Sequence, residues 1–291
     1  MTLPTALARV TATRYVLPLR EGGSLPGLVE ASDDGTYVMK LTGAGQGPRV
    51  LVAEVIVAGL ARALEIPTPE LVVLDLQEPI ARFEPDEEVQ DVLSASLGPN
   101  LGVDYLPGAF GYDGSRPPSA GLAGRILWLD ALTANVDRTW SNPNLLVWHG
   151  RTWAIDHGAA LYFHHAWPSR GVDPARFAAQ PYDAERHILR GVAGSLAGSA
   201  AKGDLDEACA ALLTPDVVRA AVESVPAEWL HPVEGLAGLD SPEAVRAAYV
   251  DCLLARLADR SAWLPGPPAG PPSEGPEDLA RSQEARRRWT R

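Results

Sequence analysis

The feature that most constrains the fold of this chain is the segment 135–158, which has the pattern of a tight β-hairpin at its centre. Residues 145–148 and 152–155 are short runs of β-branched and aromatic side chains, which favour strands. The dipeptide His149-Gly150 between them is of the kind that a two-residue turn requires. Pairing about this turn brings the two outer ends of the segment side by side.

Polar side chains lie at the open end of this predicted hairpin. Asn142 and Asp156 arrive there next to each other, and the preceding loop brings Asp137 to the same rim. Carboxylate and amide oxygens are hard ligands, which suit a Mg²⁺ ion carrying nucleotide phosphates. Each residue alone is equally consistent with a turn cap, because Asp and Asn often bond to their own backbone. Together, D-x-x-x-x-N, an apolar hairpin and a second Asp form the arrangement of kinase-type phosphoryl transfer.

A lysine stands out because the chain otherwise uses arginine. Of 25 Lys and Arg residues, only Lys40 and Lys202 are lysines. Lys40 lies in the strand-like run 36–41, which follows the turn signal Asp33-Asp34-Gly35. A compact ammonium group on a flexible stem suits a point contact with phosphate oxygens. The alternative is a lysine that extends from a strand edge into solvent.

A glutamate lies in the apolar segment that follows. Residues 50–64 have the length of a helix and contain only two charged residues, Glu54 and Arg62. Glu54 falls opposite the main apolar stripe, on a face that is itself too apolar to be simply solvated. Because an unpaired buried carboxylate is costly, we expect it to pair with Lys40. A solvent-exposed Glu54 is the alternative.

A glycine-rich loop, residues 21–27, precedes the lysine strand. Its Gly22, Gly23 and Ser24 have backbone N–H groups that can cradle phosphate, so we take them as candidate nucleotide contacts. A plain turn is at least as consistent with this short motif.

These motifs together resemble the HipA-like branch of the protein-kinase-like superfamily, which neighbours the phosphatidylinositol 3/4-kinase-like proteins. The resemblance covers roughly residues 15–170. The residues that carry it are the strand lysine Lys40, the helix glutamate Glu54, Asp137 and Asn142 of N-x-D-R-x-x-x-N, and Asp156 of I-D-H-G.

The resemblance implies an α+β, two-lobed protein-kinase-like fold that uses ATP and Mg²⁺. Lys40 would hold the α- and β-phosphates and Glu54 would orient Lys40. Asp137 would be the catalytic aspartate, while Asn142 and Asp156 would bind Mg²⁺. The segment 101–108 resembles the hinge between the lobes, so its Asp104, Tyr105 and Leu106 would contact adenine.

Several positions depart from the ordinary protein-kinase pattern. The chain has no G-x-G-x-x-G motif and no Ala-Pro-Glu motif. Asn135 and Val136 stand where His-Arg would precede the catalytic Asp, and His157 replaces the Phe that would follow the metal-binding Asp. These departures favour the HipA-like or lipid-kinase-like side and put the usual mode of peptide docking in doubt.

The phosphate acceptor follows from the resemblance alone. We expect a Ser or Thr hydroxyl of an as yet unknown protein substrate, and a small molecule or lipid headgroup is the second candidate. A third hypothesis, from another class, is a nucleotide-binding regulator that keeps the fold without turnover.

Composition narrows the class of protein. A formal net charge of −12 argues against nucleic-acid or anionic-membrane binding, which depends on clustered Lys and Arg. Cys209 and Cys252 are too few and too far apart for a disulfide framework. We find neither a signal-peptide pattern nor an apolar run of membrane-spanning length, and therefore expect a cytoplasmic protein without membrane insertion.

Three regions are expected along the chain. Residues 1–105 are predicted to form a small lobe of strands with one main helix, and 106–262 a large lobe. Helical patterns there cover 119–134, 183–196, 205–213, 215–224 and 241–257. The Pro/Gly-rich stretch 264–276 predicts a disordered linker and tail over 263–291.

Overall fold

The fold is α+β and has two lobes, a β-rich N-terminal lobe and a helical C-terminal lobe, as predicted. The structure is a computed structural model. It describes residues 6–19, 25–78, 80, 86–193, 196, 200–233, 236, 238–266 and 274–289.

The small lobe is a barrel of short strands. Its strands are β1 (Ala8–Pro18), β2 (Gly27–Ala31), β3 (Thr36–Lys40), β4 (Leu71–Leu76) and β5 (Gly98–Asp104). They close in the order β1-β2-β3-β5-β4, with β1 parallel to β4 and the other pairs antiparallel. Alternate residues of β3 point inward, so that Met39 is buried in the barrel. Lys40, the last residue of β3, is thereby placed at the barrel's rim opposite Leu101 of β5.

Two helices that are described over their full length lie in the N-terminal part of the chain. The first, α1 (Pro48–Ala63), is buried along its whole middle, from Leu51 to Ala61, because it packs on all sides. Its apolar residues share one core with the large lobe and with Leu71 and Leu101 of the barrel, whereas the interior of the barrel forms a second core. A Cβ at Gly59 would lie 3.0 Å from the Cβ of Ala221, so glycine allows close packing against a large-lobe helix. The second helix, α2 (Glu87–Ser94), is capped by Asp86.

The large lobe combines helices with a small sheet. The sheet strands are β6 (Phe110–Gly111), β7 (Leu145–Trp148) and β8 (Arg151–Ala154), in that order. The helices are α3 (Ala120–Thr133), α4 (Trp167–Arg170), α5 (Pro174–Ala178), α6 (Arg190–Ala193), α7 (Ala200–Leu212), α8 (Pro215–Glu223), α9 (Pro242–Ala258), α10 (Arg260–Trp263) and α11 (Pro276–Trp289). In the described part of the chain, no helix is both long and apolar enough to cross a membrane.

The predicted hairpin is confirmed. Strands β7 and β8 pair with Leu145 opposite Ala154, so the register continues toward Asn142 and His157 as expected. His149 and Gly150 both have left-handed backbone angles, with φ of 47° and 73°, as a tight turn of this type requires. The second strand begins at Arg151, one residue earlier than predicted.

The predicted helix over 183–196 is wrong for its first half. Its backbone bonds instead to the loop that carries Asp137: the N–H of Ile188 donates to the carbonyl of Arg138 at 3.1 Å, and Thr139 forms a bridge with His187. The short helix α6 begins at Arg190. Pairing with a distant loop thus outweighs local helical propensity here.

The prediction of a disordered tail over 263–291 is wrong for residues 263–266 and 274–289, and its other residues lie outside the described part of the chain. Trp263 is buried in the core of the large lobe, and residues 276–289 form the helix α11. This helix contacts the rest of the protein, because Leu279 is buried and the Ser282 hydroxyl donates to the carbonyl of Ser141 at 2.9 Å. Glu277 and Asp278 in its first turn also favour the helix electrostatically.

Candidate active site

Lys40 lies at the centre of a group of charges that joins the two lobes. Its Nζ donates to Oε1 of Glu54 on α1 and, at 2.8 Å, to Oδ1 of Asp156 beyond β8. The Lys40 and Glu54 side chains are 15% and 3% exposed, whereas that of Asp156 is 51% exposed. The predicted ion pair between Lys40 and Glu54 is confirmed, and the alternative of a solvent-exposed Glu54 is wrong.

Glu54 also positions the segment around Asp156. Its second oxygen, Oε2, accepts a 2.9 Å hydrogen bond from the N–H of His157. The close approach depends on Gly158, where a Cβ would lie 2.5 Å from Val50 Cγ1 and 3.2 Å from Glu54 Oε1. The glycine of I-D-H-G therefore lets α1 bring its glutamate against the hairpin.

Lys40, Glu54 and Asp156 shift one another's pKa values. Burial alone would lower the pKa of Lys40, but Glu54 and Asp156 together raise this pKa above its usual value. Burial is the main reason that the pKa of Glu54 is raised, whereas Lys40 is the main reason that the pKa of Asp156 is lowered. At neutral pH the ammonium group and the Asp156 carboxylate are consequently both charged.

Asp137 and Asn142 meet on the same rim. The amide Nδ2 of Asn142 donates to Oδ2 of Asp137 at 2.7 Å, and that of Asn144 approaches the same oxygen at 3.4 Å. The N–H of Asp137 donates to Oδ1 of Asn135 at 3.2 Å, which fixes the start of the loop. Burial raises the pKa of Asp137, and repulsion from Asp156 adds to this effect. Asp137 and Asp156 are therefore close enough to interact electrostatically without forming a direct contact.

A divalent cation at this rim would be held by oxygen ligands of mixed type. Among the described residues, no three His, Cys, Asp or Glu side chains are grouped as a metal site. The predicted ligands, Asn142 and Asp156, instead supply one amide and one carboxylate oxygen. Such a sparse set fits Mg²⁺, which usually keeps water and substrate phosphates among its ligands.

The residues predicted to contact adenine lie at the end of β5, with Asp104 as its last residue and Tyr105 and Leu106 just after it. The N–H groups of Asp104 and Tyr105 donate to the carbonyls of Glu70 and Thr36, at 2.9 and 3.0 Å. Leu106 is buried and Tyr105 is largely exposed. Gly22, Gly23 and Ser24 of the predicted phosphate loop lie outside the described residues.

Sequence reasoning missed a buried polar network beneath the loop that carries Asp137. Asp130, on α3, is 0% exposed and contacts Arg138, His187 and Asn135. A signal existed, since Asp130 is the sole carboxylate in the apolar run 119–134. Asn144 was missed as well, although the triplet Asn-Pro-Asn offers a second amide two residues after Asn142.

The chain is similar to two solved kinase structures and matches one protein family. The Helicobacter pylori proinflammatory kinase CtkA is similar in structure, with a TM-score of 0.52 and 9% identity over 98% of this chain and 99% of that chain. The Golgi casein kinase with Mn/ADP bound gives a TM-score of 0.40 and 13% identity, over 88% and 73% of the two chains. Among curated proteins there is no match. Residues 14–263 match the HipA-like kinase family, and the chain therefore belongs to that family.

Proposed function

We propose that this protein is an ATP- and Mg²⁺-dependent phosphotransferase that phosphorylates a Ser or Thr hydroxyl of a protein. The observation that carries the proposal is the contact of Lys40 with both Glu54 and Asp156, beside the Asp137–Asn142 pair. It gathers one cation and two carboxylates at the place where the lobes meet, with a further carboxylate on the rim.

Phosphate binding falls to Lys40 and to the metal ligands. The ammonium group is fixed by two carboxylates and therefore keeps its charge and its position beside the nucleotide phosphates. Asp156 and Asn142 would hold Mg²⁺, which when bound neutralises charge on the phosphate oxygens. Half of the Asp156 side chain is exposed, so its carboxylate is accessible to an ion.

Asp137 would orient the acceptor hydroxyl and take its proton. Its raised pKa makes the carboxylate a stronger base than an ordinary aspartate. The hydrogen bond from Asn142 to Oδ2 fixes the orientation of the carboxylate, so the position of its other oxygen, Oδ1, is fixed as well. Positioning of this kind is the main contribution of a protein to phosphoryl transfer.

Adenine would lie against the segment Asp104, Tyr105 and Leu106. Because the N–H groups of Asp104 and Tyr105 are already bonded within the small lobe, pairing with the base would use carbonyl oxygens of this segment or the N–H of Leu106. The side chain of Leu106 and the ring of Tyr105 provide apolar surface against which a purine can pack.

The proposal is tested by incubating the purified chain with γ-labelled ATP and Mg²⁺, alone and with a cell lysate. Protein, lipid and small metabolites are then separated, and labelled protein is hydrolysed to identify the modified residue. We expect label on Ser or Thr. Label in the lipid or metabolite fraction would identify a small acceptor instead, and nucleotide binding without transfer to any fraction would support the regulator hypothesis.

Two matched variants separate the proposed roles. Asp137→Asn should keep Mg-ATP binding, measured by calorimetry, while phosphoryl transfer falls by roughly 10²–10⁴-fold, the range for loss of a positioned base. Asp156→Asn should weaken the Mg²⁺-dependent part of binding, because it takes a negative charge from the ion's ligands. Full turnover in the Asp137 variant, or equal loss of binding in both, contradicts the assignment.

A further inference from the structure

Arg138, the residue after the proposed catalytic Asp137, has a side chain that is 0% exposed. Its guanidinium donates from Nε to Oδ2 of Asp130 at 2.6 Å and from Nη2 to Oδ1 at 3.3 Å. Asp130 accepts further hydrogen bonds from Asn135 Nδ2 and His187 Nε2, each at 2.9 Å. The cation is therefore anchored to a carboxylate that is itself fixed in α3.

The remaining donors of Arg138 reach both ends of the metal-binding hairpin. Nη1 donates to the carbonyl of Asn144, just before β7, and at 3.3 Å to the carbonyl of Ile155, just after β8. Nη2 lies 3.3 Å from Nδ1 of His157. The contacts on Ile155 and His157 flank Asp156 on both sides. One side chain thus joins the loop of Asp137 to the residues that aim Asp156.

These contacts hold backbone that is unfavourable on its own. Asn144 and Asp156 have left-handed conformations, with φ of 48° and 54°, which residues other than glycine adopt at a cost. The conformation at Asp156 directs its carboxylate to Lys40 while the next N–H points to Glu54. The guanidinium bonds on either side of this residue oppose its relaxation to an extended conformation.

Arginine is suited to this task and lysine is not. A guanidinium presents five N–H donors in a rigid plane, whereas an ammonium offers three donors from one point. Because arginine only donates, Nδ1 of His157 must accept, and the ring proton is on Nε2.

We propose that Arg138 is a positioning residue that sets the spacing between the catalytic Asp137 and the metal-binding Asp156 by bonding to Asp130, to both hairpin ends and to His157. The inference rests on the proposed phosphotransferase function, since it assigns these two aspartates their roles. Without Arg138 both carboxylates would still be present, but their distance from each other would no longer be fixed.

Arg138→Met and Arg138→Lys test the inference, with Arg256→Met and Arg256→Lys as matched controls. Arg256 is equally buried and donates to the carbonyls of Ala131, Phe177 and Gln180, away from both aspartates. Stability, kcat, KM for ATP and the Mg²⁺ concentration for half-maximal activity are measured for each. All variants are compared per folded molecule.

We expect Arg138→Met to lower kcat by about 100-fold, the effect of misplacing reacting groups by roughly 1 Å. The Mg²⁺ requirement should rise because Asp156 is no longer aimed, and Arg138→Lys should recover part of both losses. Arg256 variants should lose stability but keep kcat and the Mg²⁺ requirement. If the role of Arg138 were purely structural, its variants would lose stability without a change in the Mg²⁺ requirement.

The inference is overturned if the folded fraction of Arg138→Met, or of Arg138→Lys should the first variant not fold, keeps the wild-type kcat and Mg²⁺ requirement. It is also overturned if the Arg256 variants lose as much. Wild-type protein that binds Mg-ATP without transferring phosphate would refute the proposed function alone. In that case calorimetry of Mg-ATP binding tests the inference. Arg138→Met, or Arg138→Lys if the first variant does not fold, must weaken Mg²⁺-dependent binding. Arg256→Met must leave this binding unchanged.

Discussion

Glu54 and Asp130 are both carboxylates buried in the middle of apolar helices, yet their surroundings differ. Glu54 shares its cation, Lys40, with the half-exposed Asp156. Asp130 has Arg138 and His187 as partners, both themselves buried, and Asn135 completes its hydrogen bonds. The first carboxylate therefore belongs to a group that is open to solvent at Asp156, and the second belongs to a closed network.

The pKa values of the two carboxyl groups are therefore shifted in opposite directions. For Glu54, burial outweighs the attraction of Lys40, and repulsion from Asp156 adds to it, so the pKa is raised. For Asp130, burial also opposes ionisation, but Arg138 and His187 together overcome it and hold the pKa far below its usual range. A shared cation leaves a carboxylate adjustable, whereas dedicated partners turn it into a fixed part of the scaffold.

The largest effect that separates the two should be the loss of stability in Asp130→Asn. The substitution leaves the Arg138 cation buried without an anion, and breaking a buried pair costs about 3–5 kcal/mol of unfolding free energy. Urea unfolding of wild type and variant measures it. As a control, Asp75→Asn removes the partly exposed pair with Arg9 and should cost at most about 1 kcal/mol. Equal losses would mean that Asp130 is not part of the scaffold.

Glu54→Gln should instead lower turnover before it lowers stability. Glutamine keeps the size of the side chain and an acceptor for the His157 N–H, and it removes a buried charge that is costly to desolvate. Lys40 loses one of its two charged partners, a contact of about 1.5–3 kcal/mol, so kcat should fall by roughly 10–10²-fold. Steady-state kinetics and urea unfolding measure the two effects.

A matched control for Glu54 is Glu65→Gln, two residues after the end of α1. Glu65 makes an ion pair with Arg125 and its side chain is 72% exposed, so this change should leave both kcat and stability nearly as in wild type. If Glu54→Gln loses stability as strongly as Asp130→Asn while keeping kcat, the distinction between the adjustable and the fixed carboxylate is wrong.

The same comparison shows what the sequence allowed and what it did not. Glu54 was predicted to be buried and paired because it is a lone carboxylate in an apolar helix with a lysine strand close by. Asp130 meets the first criterion equally well. Its partners, however, include His187, which follows it by 57 residues and reaches it only through the tertiary fold. A buried carboxylate is thus visible in sequence, whereas its remote partner is not.

Local chemistry explains most of the correct predictions. The hairpin followed from His149-Gly150 and the alternation around it, which act over a few residues. The errors arose where distant contacts decide the backbone, as at His187, and in α11, where Ser282 bonds to Ser141. The Pro/Gly-rich composition before α11 indicated disorder, but the helix is held by a surface that only the folded large lobe provides.

The smallest predicted effect concerns His157, which connects the two carboxylates. Its N–H donates to Glu54, and its ring Nδ1 contacts Arg138 and through it Asp130. Burial, helped by Arg138, lowers the pKa of His157 from 6.5 to about 3. Between these values the unfolded chain binds a proton that the folded protein does not. This group therefore contributes stability that is fully present above pH 6.5 and is lost progressively as the pH falls toward 3.

His157→Asn should remove this contribution, because its amide oxygen can accept from Arg138 near the position of Nδ1 without titrating. Between pH 7 and 5.5 the wild type should lose about 1 kcal/mol more unfolding free energy than the variant does. Urea unfolding at both pH values measures the difference, in which groups common to the two proteins cancel. A difference between wild type and variant that stays constant across this range would mean that His157 takes up its proton in the folded protein. The proposal that a neutral His157 connects Glu54 to Asp130 would then be refuted.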